Sequence, residues 1–513
     1  MKTVVRCMMV LALLVGCDGD DDADGGVDAG GSDAGATDGG PEADAATDAG
    51  APDAGPDCSA FEDDPCNGPP ACRTEVEVSG DITEDTTWTC ENIYVLTDFV
   101  FVHRPNGSPD TDPRVTLTIE AGTLVRGQGG DIDATPVDLP GALIVTREGM
   151  LEANGTADQP VVFTSAEPVG TRSPGDWAGL ALLGGASTNL AEGQKRLEGL
   201  PSSVPDAYAV YGAPAAEADD TWNCGTLSYV RVEYASFTLA DDKELNGLTV
   251  GACGEETDMH HVQIHRAQDD GIEFFGGRVD VDHLVVTGAQ DDGIDWDEGF
   301  TGRIQFAVVQ QWADVSADGN GIEADGLASG GVATPVSDPR VFNVTLLGTD
   351  DGNGKLGMRL RDGTRGYLRN FVIAGFAEGV FDVQGDSEGE ASADELTVEH
   401  SILVSTDVGG TEVLFPSDGT LIEFDHFVAD PDRDNTSLDS DEIGTVLPSP
   451  FDTASPGWVP NADSLPDTHP AETPSEAVGE TRPGFFDTSA AYVGAFEPGG
   501  TDWTEGWTTR DDG

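Results

Sequence analysis

Strand-length apolar runs recur along most of this chain, and within them apolar and polar residues alternate. In "HHVQIH", Val262 and Ile264 share one face while His261, Gln263 and His265 share the other; in "HLVV", Leu284 and Val286 take the same inward places. Alternation with period two predicts half-buried strands, and helical periodicity is weak throughout. Gly, Asp and Asn separate the runs. Glycines that precede the second apolar stretch mark a register at Gly247, Gly271, Gly293, Gly321, Gly357 and Gly379, spaced by 24, 22, 28, 36 and 22 residues. A step of about 22 residues, lengthened by insertions, predicts the rungs of a parallel β-helix. A TIM barrel or doubly wound sheet would need amphipathic helices between the strands, and none is evident. A β-sandwich is the remaining alternative, since short strands alone do not separate the two.

The period also carries chemistry. "AQDDGIEFFGG" and "AQDDGIDWDEG" are the same acidic phrase offset by 22 residues, which places Asp269 under Asp291, Asp270 under Asp292 and Glu273 under Asp295. The following rung adds Asp318, Glu323 and Asp325. Equivalent residues on successive rungs stack about 4.8 Å apart. Like charges at that distance repel by roughly 3 kcal/mol at an effective dielectric near 20. Three readings account for the ladder. Asp-Gly is ordinary turn chemistry, with water screening the charge. Stacked acidic turns also supply the several oxygen ligands that calcium favours. Clustered carboxylates are, finally, the working groups of the pectin lyases and glycoside hydrolases that use the β-helix fold. "KLGMRLRDGTRG" contributes Lys355, Arg359, Arg361 and Arg365, a basic group that follows the acidic rungs and could face them; Arg359 and Arg361 are candidate binding residues. His261 and His283 fall on equivalent positions of neighbouring strands and read as a surface pair. Phe274, Phe275 and Trp296 read as fillers of a coil corner. No EF-hand, nonapeptide calcium repeat, GxSxG, HExxH, Walker or dinucleotide motif is present.

The ends of the chain add an address. Lys2 and Arg6 precede the apolar run "CMMVLALLV", which is too short to span a bilayer and ends in "LVGC". A small residue before Cys17 resembles the lipobox of bacterial lipoproteins, which implies cleavage before Cys17 and acylation of it. From Asp18 to Asp57 the chain is almost wholly Asp, Ala, Gly, Ser, Thr and Pro, a composition that cannot bury enough apolar surface to order itself. Such a tether of about 40 residues reaches about 35 Å. It holds 13 of the 96 acids, so most of the net charge of −72 belongs to the folded part. Binding to nucleic acid needs a basic footprint, and this chain has none. Six further cysteines, Cys58, Cys66, Cys72, Cys90, Cys224 and Cys253, are disulfide candidates in an exported chain. Their clustering pairs Cys224 with Cys253 and the first four among themselves.

"LTIEAGTLVRG", "ALIVTREGMLEANGTADQPVVFTS", "DWAGLALLGGAS", "DDGIEFFGG", "DDGIDWDEGFTGRIQF" and "YVGAF…WTEGW" resemble segments of a family of bacterial outer-membrane lipoproteins with right-handed parallel β-helix repeats. The resemblance runs from about Val76 to Trp507. It implies the fold and an exported, lipid-anchored life at the outer membrane, and it carries no established activity. The expected organisation is a signal peptide over 1–16, a lipidated disordered tether over 17–57, an all-β solenoid with a Cys-rich start over 58–429, and an acidic, Pro-rich loop and cap over 430–513. The expected function is an envelope protein presenting an acidic, calcium-loaded surface, with Asp269, Asp270, Glu273, Asp291, Asp292 and Asp295 as metal ligands. Its partners would be the membrane through its lipid and a glycan or another envelope protein. The alternative is a polysaccharide lyase or glycoside hydrolase on the same fold.

Overall fold

The computed structural model describes residue 66 and residues 68–513 apart from 106–112, 133, 135–136, 241–242, 316–318, 328–332, 351, 353–354, 417–421, 476–481, 483 and 512. The signal, Cys17, the tether, Cys58 and Asp318 lie outside the described residues.

Two long sheets, one of sixteen strands and one of nine, run the length of the fold, and the neighbouring strands in the path of each are parallel. The chain alternates between them: each early circuit adds two short strands to the larger sheet and one to the smaller, and from Gly225–Glu233 onward one long strand takes the place of the pair. This is a parallel β-helix. The nine-stranded sheet is built from short strands such as Leu248–Gly251, Ile272–Phe275, Ile294–Asp297, Ile322–Asp325 and Leu356–Arg361. Period-two alternation sends Ile272, Ile294, Ile322 and Met358 inward in one stack. The core is one continuous apolar cluster from Ile82 to Phe427.

Long strands of the larger sheet bend once each. His261, His283, Phe306, Asn343 and Asn370 have φ between 53° and 61°, and the pairing register skips His261 and His283. One left-handed residue per rung turns the strand around the corner of the coil, which three of these five side chains do at a steric cost that Asn largely escapes. Stacking offsets part of that cost: the His261 and His283 rings lie 4.2 Å apart and nearly parallel, with Tyr229 on one side and Phe306 on the other.

The glycine register holds from Gly247 to Gly357 and then slips. Leu356 pairs with Gly379, so Val380 takes the place beside Gly357. The reason for glycine also differs from a turn's need for φ > 0. None of Gly247, Gly271, Gly293, Gly321 and Gly357 is left-handed; each sits where a Cβ would strike the backbone carbonyl of the next rung. At Gly293 a Cβ would meet Val309 Cγ1 and, at 2.7 Å, Gly321 O. Gly293→Val should therefore cost about 1–3 kcal/mol or more by overpacking, while Gln290→Ala nearby should cost little. Equal melting temperatures for the two variants would refute this packing account.

The disulfides Cys66–Cys90 and Cys224–Cys253 are formed, and Cys72 is disulfide-bonded as well. A π-helical turn, Glu423–Val428, closes the late rungs by setting Phe427 against Phe381. The tail does more than close an end. From Asp487 to Asp511 it runs back along the corner of the coil, bonding Gln305, Asn343 and Asn370 and then Gln263 and His265. Trp503 and Trp507 lie against His283 and Tyr229. His265 and Gln263 face away from the coil's core, as alternation requires, yet both are fully buried beneath this strap. No helix among the described residues is long and apolar enough to cross a membrane.

Candidate functional site

The outward positions of the nine-stranded sheet form two rows. One runs Ala181, Thr249, Glu273, Asp295, Glu323, Arg359, Asp382 and the other Gly251, Phe275, Asp297, Asp325, Arg361. Register alone thus lines up three carboxylates and then an arginine, with a second row of two carboxylates and an arginine beside it. At the starts of the same strands sit Asp269, Asp270, Asp291 and Asp292. A cleft of about 480 Å³ opens over these residues.

The acids divide into two kinds. Asp270 and Asp292 precede the register glycines, where the neighbouring rungs carry Asn246 and Asn320. Asp270 Oδ1 accepts the Asp292 N–H at 3.0 Å, Asp292 Oδ1 accepts the Asn320 N–H at 2.6 Å, and Asn320 Oδ1 accepts the Leu356 N–H at 3.1 Å. These side chains form a ladder that ties each rung to the next, as the turn-capping reading expects of such residues. Glu273, Asp295 and Glu323 line the cleft beside them from the outward row of the strands. Asn246 Nδ2 donates to Glu273, and Arg361 pairs with both Glu323 and Asp325. Arg359 stands 3.5 Å from Glu323. The basic group divides as well: Lys355 pairs with Glu378, and Arg365 with Glu390 and Glu395, outside the cleft lining.

Burial dominates the electrostatics. It raises Asp270, Glu273, Asp292 and Asp295 well above the usual carboxylate range, and neighbouring carboxylates push the same way. Asp269 is raised to about 7 by burial and by Asp291, and Asp297 to about 7 by burial and Glu298. Asp325 reaches only about 6, because Arg361 opposes the effect of burial. Such groups are neutral or else neutralised by a cation.

Five of the six acids expected as metal ligands converge in two overlapping groups, Asp269–Asp270–Asp291 and Asp270–Glu273–Asp295. Within each group one carboxylate oxygen per residue lies within 4.8 Å of the others. Asp270 is common to both, and Asp292 belongs to neither. Asp295 Oδ1 is sealed from solvent and accepts no hydrogen bond among the described residues. An oxygen-only donor set with an unsatisfied buried acceptor suits a hard divalent cation. The stacked His261 and His283 are less suited to one, because nearly parallel rings point their nitrogen lone pairs side by side.

Residues distant in sequence complete the walls. Lys195 pairs with Glu298 at 2.8 Å, Tyr211 donates to the same carboxylate at 2.7 Å, and both cover Phe275. Phe275 is thereby buried, and Phe274 and Trp296 lie fully inside the coil. Asn246 was findable from its place before a register glycine. Lys195 and Tyr211 carry no such mark, because they reach the cleft on an excursion of the chain between Leu183 and Gly225.

The outer face of a parallel β-helix thus carries a strand-lined row of carboxylates. The chain belongs to the family of the pectate-lyase-like beta-helix domain, which it matches over residues 80–428. No curated protein and no solved structure matches it. The matched span contains the whole cleft and ends before the strap.

Proposed function

We propose that the cleft holds a divalent cation, calcium by its donor chemistry, and through it an acidic glycan, so that the protein is a glycan-binding protein of the cell envelope. The observation that carries this reading is Asp270, a buried carboxyl shared by two three-carboxylate groups beside an oxygen, Asp295 Oδ1, that lacks a donor. Asp269, Asp270, Asp291, Glu273 and Asp295 would hold the ion, which would supply positive charge to a site otherwise repellent to an anionic sugar. Arg359 and Arg361, both two rungs beyond Asp295, are placed to meet further sugar carboxylates. Millimolar calcium should raise the melting temperature and should be needed for retention on immobilised polygalacturonate; Glu273→Gln with Asp295→Asn should remove both effects. An unchanged melting curve between chelator and calcium would count against the ion, and calcium-independent retention against its role.

The arginines also favour a second reading, a lyase or hydrolase. Burial would lower the pKa of Arg361, but Asp325 and Glu323 hold it above its ordinary value, so it serves as a fixed charge. New reducing ends or unsaturated uronide absorbance would establish scission, whereas retention without either supports binding alone.

The address is part of the same proposal. The short apolar run ending at Cys17 supports lipid anchoring at the outer membrane. Cys17→Ser should release the protein from washed membranes, since several acyl chains together hold firmly where one does not; retention of the variant there would refute the anchor.

A further inference from the structure

A second cavity, of about 510 Å³, lies at the opposite ends of the same strands and is separate from the acidic cleft. Its size is within the ~300–1,000 Å³ of small-molecule sites. We propose that it is a binding site for an uncharged carbohydrate, independent of any cation in the cleft.

The argument begins with how the walls are seated. Gly276 and Gly299 follow two of the cleft strands with φ of +61° and +89°. A side chain at Gly276 would strike Thr188 Cγ2 at 2.9 Å, and one at Gly299 would strike Pro335 O at 2.7 Å. The glycines therefore let two excursions of the chain settle on the coil. Hydrogen bonds fix them there: Gly277 N–H to Ser187 O at 2.9 Å, Asn189 N–H to Glu298 O at 2.8 Å, and Gly299 N–H to Ser337 Oγ at 3.0 Å. The cavity between the excursions is preformed, which lowers the ordering cost of binding.

Its lining differs in charge from the cleft. Each cationic side chain has its own anion: Arg278 faces Asp220 at 3.6 Å, and Arg340 grips Asp338 through two nitrogens. The paired charges cancel, so the cavity attracts neither an anion nor a cation strongly. What it offers is a dense alternation of donors and acceptors. Guanidinium N–H groups donate, carboxylates accept, and the hydroxyls of Ser187, Thr188, Thr301 and Thr334 do either. Pro335 and Ala215 supply an apolar patch between them. Vicinal hydroxyls on a sugar ring, with its apolar C–H face, match that combination. The excursion carrying Ser187 and Thr188 also carries Lys195 into the acidic cleft, so two sites share one wall.

The test uses the mature, full-length protein in chelator, so that a failure of the calcium reading leaves it unaffected. Cellobiose, maltose, lactose and mannobiose are titrated by calorimetry, with digalacturonate as the charged comparison. At least one neutral disaccharide should bind at one per chain, and digalacturonate should bind more weakly. Ala215 is exposed, so Ala215→Trp should fold normally and fill the cavity, abolishing binding. Arg340→Gln should weaken binding about tenfold or more, the loss of a hydrogen bond to a charged group. Glu273→Gln, in the cleft, should leave the affinity unchanged. Absence of binding by all four sugars, survival of binding in Ala215→Trp, or its loss in Glu273→Gln would each overturn the proposal.

Discussion

Acidifying the cation-free protein from pH 8 to pH 5 should raise its melting temperature, the reverse of ordinary acid unfolding. Folding lifts Asp269 and Asp297 from 3.8 to about 7 and Asp325 to about 6, chiefly by burial. Asp270, Glu273, Asp292 and Asp295 move in the same direction. A carboxyl whose folded pKa lies above its unfolded one makes the native state the better proton binder. Its contribution is complete below about pH 4 and is lost as the pH rises through the folded value. For Asp297 alone that difference amounts to ~4 kcal/mol. Histidines oppose the trend. His265 and His261 are lowered to about 4, first by burial under the strap and then by neighbouring positive groups: Arg266 and Arg231 for His265, His283 and His260 for His261. The Asp511 carbonyl partly offsets this at His265, and Asp282 at His261. Their contribution is complete above about 6.5 and is lost as the pH falls toward 4. His469 is lowered too. These seven cleft carboxyls, together with Glu423, which burial also raises, outweigh the three lowered histidines and leave a net gain on acidification. Melting curves in chelator should show it, and calcium should flatten the curve by replacing the protons. A melting temperature that falls steadily from pH 8 to pH 5 would show that the cleft carboxyls are not buried as described.

Most of the coil was legible because its information is local. The phrase "DDGI" recurs at 22 residues, and the strands that follow it, Ile272–Phe275 and Ile294–Asp297, pair in that register. The step from Gly357 to Gly379 is also 22, yet the pairing there is offset by one residue. Spacing predicts the rung, but after the 36-residue excursion it no longer predicts the phase. The stack of Glu273, Asp295 and Glu323 follows from register and was readable. Its division into ladder and cleft acids was not read, although Asn246 and Asn320 stand before glycines just as Asp270 and Asp292 do. The burial of His265 and Gln263 had no local sign, because their cover arrives 246 residues later in the chain. Lys195 and Tyr211 reach the cleft by the same kind of long-range contact.

Replacing Asp270 and Asp292 singly by Asn should stabilise the cation-free protein at pH 8, and only the first replacement should abolish its response to calcium. The chain contains its own control for the fold: Asn246 and Asn320 occupy the same ladder position on the rungs to either side. Asparagine keeps the Oδ1 acceptor that receives the next rung's N–H, so the ties Asp292 N–H to Asp270 and Asn320 N–H to Asp292 survive. What disappears is an ionisable group whose charged form burial strongly disfavours. The Asp292 side chain also meets the Glu323 carboxyl, a hydrogen bond that needs a proton between the two. An amide N–H fills that place at every pH. Replacing a carboxyl that must take up a proton to stay buried spares the cost of that protonation at pH 8, which should appear as a rise of several degrees in melting temperature. Calcium separates the two positions. Asp270 belongs to both carboxylate groups and Asp292 to neither. A saturating ion at a hundredfold its dissociation constant contributes about 2.7 kcal/mol to the wild type. Asp292→Asn should retain that increment and Asp270→Asn should lose most of it. Destabilisation by Asp292→Asn in chelator would refute the ladder. A full calcium response in Asp270→Asn would remove the ion from these carboxylates and leave them as neutral structural acids.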